Sequence, residues 1–271
     1  MRDDDKRGFG LAVYTTVMTA LVLLPIVIVL LISFTASEYI VFPPPGLSLE
    51  WYRAVLSDPQ WTDSLWLSLE IAALVTGFSL ALGVPAALAL RGRGGVLAAS
   101  AQTLFLSPLM VPTIIIGFSL LRVFSMMNIA ASALTVAAGQ TILAMAYVMR
   151  LVLASLAGVD PRLENAAAIH GSGPWRTFWT VTFPLIRHGI IIGALFAFIV
   201  SLDDVNIALF LSDVRTSPLS VTLFSYIEQN ADPLGAAVSS LLVLIAVVLL
   251  AIADRMVGIG WLFGIRDGRS R

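Results

Sequence analysis

Long charge-free runs of apolar residues dominate the chain. A bilayer-crossing helix needs about 20 such residues, because its backbone N–H and C=O groups must be satisfied within the segment itself. Six runs predict six spans, at about 11–33, 65–90, 96–121, 126–149, 185–210 and 234–254. Glu70 interrupts the second, and Pro108 and Pro112 lie within the third. Each proline removes a backbone donor, and non-helical backbone at membrane depth is tolerated only beside protein or a water-filled cavity. The third run therefore reads either as a segment lining a pathway or as a kinked helix facing lipid. In the fifth, only Gly189 to Leu202 separate His188 from Asp203, about 21 Å of helix. That span must end near Asp203 and Asp204 or bury them. A shorter apolar run, Leu219 to Ile227, cannot span and predicts a re-entrant or capping helix.

Composition agrees with this pattern. Apolar residues make up 58% of the 271 positions and charged residues 12%, against about 25% charged in a soluble domain. Mean hydropathy is +0.93. The predicted fold class is an all-α membrane protein, a single transmembrane domain over 1–271. The net charge of -1 provides no basic field for nucleic acid.

Basic residues set the expected sidedness. With six spans, thirteen of the 16 fall on one side: Arg2, Lys6, Arg7, Arg91, Arg93, Arg150, Arg162, Arg176, Arg187, Arg255, Arg266, Arg269 and Arg271. Arg53, Arg122 and Arg215 lie opposite. The positive-inside rule then places both termini in the cytoplasm, in a multi-pass plasma-membrane protein. The first run is longer than a signal-peptide core of about 7 to 15 residues, so it is expected to remain as an anchor. On the outer side, Pro43 to Pro45, Trp51, Tyr52 and Trp61 form an aromatic-rich segment expected at the membrane surface.

Catalytic chemistry has little to draw on. Cysteine is absent and the histidines are His170 and His188, so the usual zinc sites and thiolate chemistry lack ligands. Lys6 is the only lysine and has no room before it for a phosphate-binding loop, so work driven by ATP requires a partner. Gly77-Phe78-Ser79 and Gly117-Phe118-Ser119 superficially resemble the G-x-S of intramembrane serine proteases. Such a serine needs a basic partner, and both histidines lie in or beside the loop at 158–184. The chain is expected to be a non-catalytic subunit.

That loop carries the most informative pattern. Asp160 and Pro161 read as the cap and first residue of a helix, and Gly171 as the residue that ends it. Leu163 at the third position leaves no capping box. Gly173 and Pro174 open a second helix that places Trp175, Phe178, Trp179 and Thr182 on one face. Pro184 is expected to break this helix before the fifth span. The result is a compact knob suited to docking a partner, or a connection whose aromatics rest among lipid headgroups.

The knob resembles the EAA loop, E-A-A-x-x-x-G followed by L-P, of the inner-membrane permease subunits of binding-protein-dependent ABC importers. Counting back from Gly171 puts Asn165 at the glutamate position, Ala166 and Ala167 at the alanines, and Phe183-Pro184 at the end. Asn165 departs from the pattern, with Glu164 beside it. The resemblance implies the type I importer permease fold, with a coupling helix seated in a cleft of the ATPase. It would place Glu164, Asn165, Ala166, Ala167, His170, Gly171, Trp175 and Arg176 at that contact. It also implies two ATP-binding cassette subunits that hold ATP and Mg, a second related permease, and a periplasmic substrate-binding protein. Ser107 to Pro112, Ser201 to Asp204, Leu209 to Ser212, Phe224 to Tyr226 and Asp232-Pro233 are similar to the polyamine (spermidine/putrescine) branch. Relatives with similar cores carry opines, iron complexes or other solutes. A carrier running without ATP is the alternative from another class.

Carboxylates within spans are costly and usually face a cavity or a partner charge. Glu70, Asp203 and Asp204 are therefore the candidate pathway residues, and they suit a cationic solute. Asp203 and Asp204 are adjacent, about 100° apart on a helix, so one is expected to face the pathway while the other caps or pairs.

Overall fold

The computed structural model describes residues 2–92, 94–213 and 215–257. It is helical throughout apart from turns and one isolated bridge, Thr35 to Leu47. The helices are α1 Arg2–Ser33, α2 Glu50–Ser57, α3 Pro59–Leu90, α4 Val96–Leu106, α5 Thr113–Met126 and α6 Ala133–Ala157, then α7 Pro161–Ile169, α8 Pro174–Thr177, α9 Phe183–Asp203, α10 Asn206–Leu211, α11 Leu219–Gln229 and α12 Leu234–Val257. Five of these segments are long and apolar enough to cross a membrane, and a sixth is obtained if α4 and α5 form one bent span. The all-α membrane class therefore holds. Arg93, Arg266, Arg269 and Arg271, used above for sidedness, lie outside the described residues.

The chain divides into two units. In the first, Met1–Thr62 with Ser225–Leu244, the Tyr52 hydroxyl lies 2.7 Å from both Ser33 Oγ and Ser240 Oγ. Trp61 is 3% exposed and packs edge-to-face on Tyr226, with ring centroids 5.2 Å apart. The aromatic segment expected to rest on the membrane surface is thus folded in part into this unit. Tyr226 donates to Asp232 Oδ2 at 2.5 Å. Burial, helped by that carboxylate, holds its phenol well above the usual range, so it remains the donor.

The second unit, Asp63–Phe224 with Ile245–Arg271, contains the main core. Ile71 and Val75 of α3, Val148, Met149 and Val152 of α6, and Ile186 and Ala197 of α9 are all buried in it. Small residues set the spacing. A Cβ at Gly189 would lie 2.6 Å from Ser155 Cβ and 3.0 Å from the Leu151 carbonyl, so α9 and α6 approach at a distance that only glycine permits.

Four boundaries differ from the sequence expectation. The third span is not continuous over 96–121: after the 3₁₀ turn Ser107–Met110 the chain bends by 99° before α5. Pro108 and Pro112 cause this, one inside the turn and one at the cap of α5. The helix then runs past Arg122 to Met126, and Asn128 takes φ 56°, a conformation asparagine tolerates. The fourth span accordingly starts at Ala133, not 126, because Ser132 and Thr135 cap it reciprocally. Pro184 does not break the second loop helix. A π turn over Phe178–Thr182 bonds the Phe183 N–H to the Phe178 carbonyl and carries the helix through the proline. Finally, the fifth span ends at Asp203 instead of continuing to 210, and α10 follows a two-residue break.

Gly189→Leu should force α6 and α9 apart and destabilise the protein by about 1–3 kcal/mol. Gly77→Ala, with no atom within 4 Å of the added Cβ, should be neutral or stabilising by up to about 1 kcal/mol. Denaturant titrations of the purified protein in detergent micelles measure both.

Candidate functional site

The loop after α6 is held by its own backbone and polar side chains. Asp160 Oδ1 accepts the Arg162 N–H at 2.9 Å, and Pro161 occupies the first turn of α7, where a donor is not needed. At the other end the Ser172 N–H bonds to the Ala167 carbonyl and the Gly171 N–H to the Ala168 carbonyl, both at 3.0 Å. Gly171 adopts φ +79°. These three features make a Schellman cap, which a β-branched residue at 171 would strain. The chain therefore turns sharply into Pro174, as the sequence pattern predicts.

This turn leaves one face of α7 in the open. Asn165, Ala166 and His170 are exposed, Ile169 is 85% exposed and Ala167 half-buried. Trp175 and Arg176 are also exposed. Trp175 packs edge-to-face with Trp179 at 5.8 Å, and Trp179 meets Phe183 at 4.9 Å. Thr182, placed on the same face by the sequence pattern, is instead buried, because the π turn rotates it inward. Glu164 also turns inward. Its Oε1 accepts from Arg91 Nη1 and from the Thr182 hydroxyl, each at 2.5 Å. Beside these groups lies an open cavity of about 550 Å³, lined by Arg91, Glu164, Asn165, Ala168 and Phe178 among others.

At the opposite end of the same unit the two adjacent aspartates separate. Asp204 Oδ2 accepts the backbone N–H groups of Ile207 and Ala208 at 3.2 Å each and the Gln140 amide at 3.1 Å. Gln140 is buried, and its own carbonyl accepts the Ser201 hydroxyl at 2.6 Å. Asp204 thus supplies partners to the freed donors at the start of α10. Asp203 is exposed. The break in the fifth span lies beside the bend in the third: Asn206 Nδ2 donates to Thr113 Oγ1 at 2.9 Å, and Phe118 meets Phe210 edge-to-face. Glu70 does not belong to this group. It lies on an exposed face of α3 with Asp63 and Trp66, along an open groove of about 560 Å³.

Sequence reasoning missed Arg91, Thr182, Gln140, Thr113 and Asn206 as members of these sites. Gln140 had a detectable signal: it is a long polar side chain in the middle of a charge-free run, where an unsatisfied amide would be costly. The others lie near helix ends, where a polar residue is ordinary.

Bent and interrupted apolar helices gathered around a polar break recur in membrane transport proteins. The model of the binding-protein-dependent transport system inner membrane component family matches residues 79–259, and the chain belongs to that family. It is a permease of an ABC importer. It is 31% identical over 230 residues to the putrescine transport system permease protein PotI of Escherichia coli (strain K12), covering 80% of each chain. It is also 31% identical over 233 residues to the molybdenum transport system permease protein ModB of Mycobacterium bovis (strain ATCC BAA-935 / AF2122/97), covering 78% of this chain and 86% of that one. Its fold matches the crystal structure of a bacterial ABC transporter involved in the import of the acidic polysaccharide alginate. The TM-score is 0.72 at 14% identity, over 94% of this chain and 96% of that one.

Asp204→Ala should cost about 0.5–2 kcal/mol, the value of a helix cap, whereas Asp203→Asn should leave stability within about 0.5 kcal/mol of the parent. Unfolding of both variants in micelles, followed by circular dichroism, tests this division of roles.

Proposed function

We propose that this chain forms half of the translocation pathway of an importer for a small organic cation of the polyamine class, with Asp203 as the acid that meets the solute. The exposure of Asp203 beside the broken fifth span is the observation that carries this reading. Asp204 is engaged by α10 and Gln140, which leaves Asp203 as the available charge at the break. The end of α9 also directs its last carbonyls there, and carbonyls favour a cation. The similarity to a putrescine permease agrees with this chemistry. The equal identity to a molybdenum permease supports a second reading, in which the solute is a different one.

The same proposal assigns the energy source to partners. Two ATPase subunits bind ATP and Mg, a second permease completes the pathway, and an external binding protein delivers solute. The face of α7 with Asn165, Ala166, Ile169 and His170, together with Trp175 and Arg176, docks in the ATPase cleft, and the loop lies in the cytoplasm. When the ATPases close on ATP, α7 moves with them and the spans switch from inward-open to outward-open. Hydrolysis resets the cycle.

Uptake of labelled putrescine by proteoliposomes holding the assembled importer tests the solute. Asp203→Asn should reduce uptake about tenfold, the value of one charge-assisted contact, with assembly unchanged by gel filtration. Uptake at the parental rate, or uptake of molybdate in place of putrescine, would refute the cation assignment. Gly171→Val should separately lower the amount of ATPase that copurifies, because it deforms the cap that shapes α7.

A further inference from the structure

Glu164 stands next to Asn165, which occupies the position of the family's glutamate, and the two side chains point in different directions. Asn165 is exposed. The Glu164 carboxylate turns back toward the transmembrane body, where one oxygen takes two donors from two other elements. Arg91 follows directly on the last residue of α3, and Thr182 closes the π turn that leads into α9. Arg91 makes a second bond, from Nη2 to the Val159 carbonyl at 3.2 Å, at the entry to α7. Arg91 and Glu164 side chains are 17% and 31% exposed, and Thr182 is buried. A single carboxylate therefore joins the end of α3, α7 and the start of α9.

The other end of α3 is tied as well. Ser68 Oγ accepts the Leu219 N–H at 2.7 Å, and Ser64 Oγ lies 3.0 Å from Thr222 Oγ1, so α3 holds the first turns of α11. Between Ser68 and Arg91 α3 stays helical for about 33 Å, continuing through Pro85 near its Arg91 end. It packs through Ile71 and Val75 into the same core as α6 and α9. An unbroken helix fixed at both ends transmits displacement along its axis, whereas the bent third span and the interrupted fifth span can absorb it.

We propose that Arg91 and Glu164 form a latch that makes α3 move with α7, so that Glu164 is a positioning residue for coupling and not the ATPase contact. The proposal rests on the reading of α7 as the ATPase-docking helix. Part of the pair is shielded from water, so removing one partner leaves the other charge without its counterpart. The loss loosens α7 from α3 without changing the face that α7 presents outward.

The test uses the assembled importer in proteoliposomes, with solute uptake and ATP hydrolysis measured on the same samples. Arg91→Ala and Glu164→Gln should each assemble with the ATPase yet transport on the order of tenfold less solute per ATP hydrolysed, within the usual range of allosteric coupling. The reciprocal exchange, Arg91→Glu with Glu164→Arg, should recover most of the ratio. A merely structural role would lower both rates together and leave the ratio unchanged. The latch is overturned if both single variants keep the parental ratio. It is also overturned if Glu164→Gln loses the ATPase while Arg91→Ala keeps it and stays fully coupled, since Glu164 would then be a direct contact. Should the parental chain bind no ATPase, the docking reading fails, and the latch is judged on the isolated chain. Amide hydrogen exchange across Pro161–Ile169 should then rise about tenfold in Arg91→Ala, and unchanged exchange would overturn the latch there too.

Discussion

A helix interrupted inside a membrane frees backbone N–H groups that no lipid can satisfy, and the arrangement of this permease depends on how that cost is met. At the end of α9 it is met by Asp204, whose carboxylate takes the N–H groups of Ile207 and Ala208 and is itself oriented by Gln140. Prolines meet it at the bend in the third span, since Pro108 and Pro112 have no N–H to leave unpaired. The two interruptions adjoin through Asn206 and Thr113. Irregular backbone from two spans is thereby gathered into one place, and the exposed Asp203 stands at it.

The rest of the second unit supplies rigidity around that place. Gly189 lets α9 lie against α6 at backbone distance, and α3 packs into the same core. Packed helices of this kind shift as bodies more readily than they deform. On the proposed reading of α7 as the docking helix, motion entering there is conducted by whichever elements are fastened to it. The bonds of Glu164 to Arg91 and Thr182 make α3 and α9 those elements.

Much of this was legible in the sequence, and the failures share a cause. Charge-free runs located the five long apolar helices and the bent pair α4–α5, though not all of their ends, and Asp160, Pro161 and Gly171 located α7, because insertion into lipid and helix capping act through local composition. The 99° bend was not legible, since prolines signal lost donors but not whether a helix kinks gently or turns. Pro184 misled for the same reason: the π turn before it absorbs the missing donor. Adjacent Asp203 and Asp204 could be told to differ, yet which one caps depended on Gln140, 64 residues away along the chain. Glu164 was legible as a charge near the EAA pattern, while its inward direction depends on Arg91, 73 residues distant. Local signals survive in a single sequence, whereas pairings across helices do not.

The coupling of α7 to α3 is tested most directly by a distance. Spin labels at Arg162, exposed in the first turn of α7, and at Phe78, exposed on α3, can be measured by double electron–electron resonance in the assembled importer with and without a non-hydrolysable ATP analogue. If α7 and α3 move as one body, the distance distribution keeps its mean and width on nucleotide binding, and Arg91→Ala broadens and shifts it. A shift of several ångströms on nucleotide binding with Arg91 and Glu164 intact would contradict that coupling.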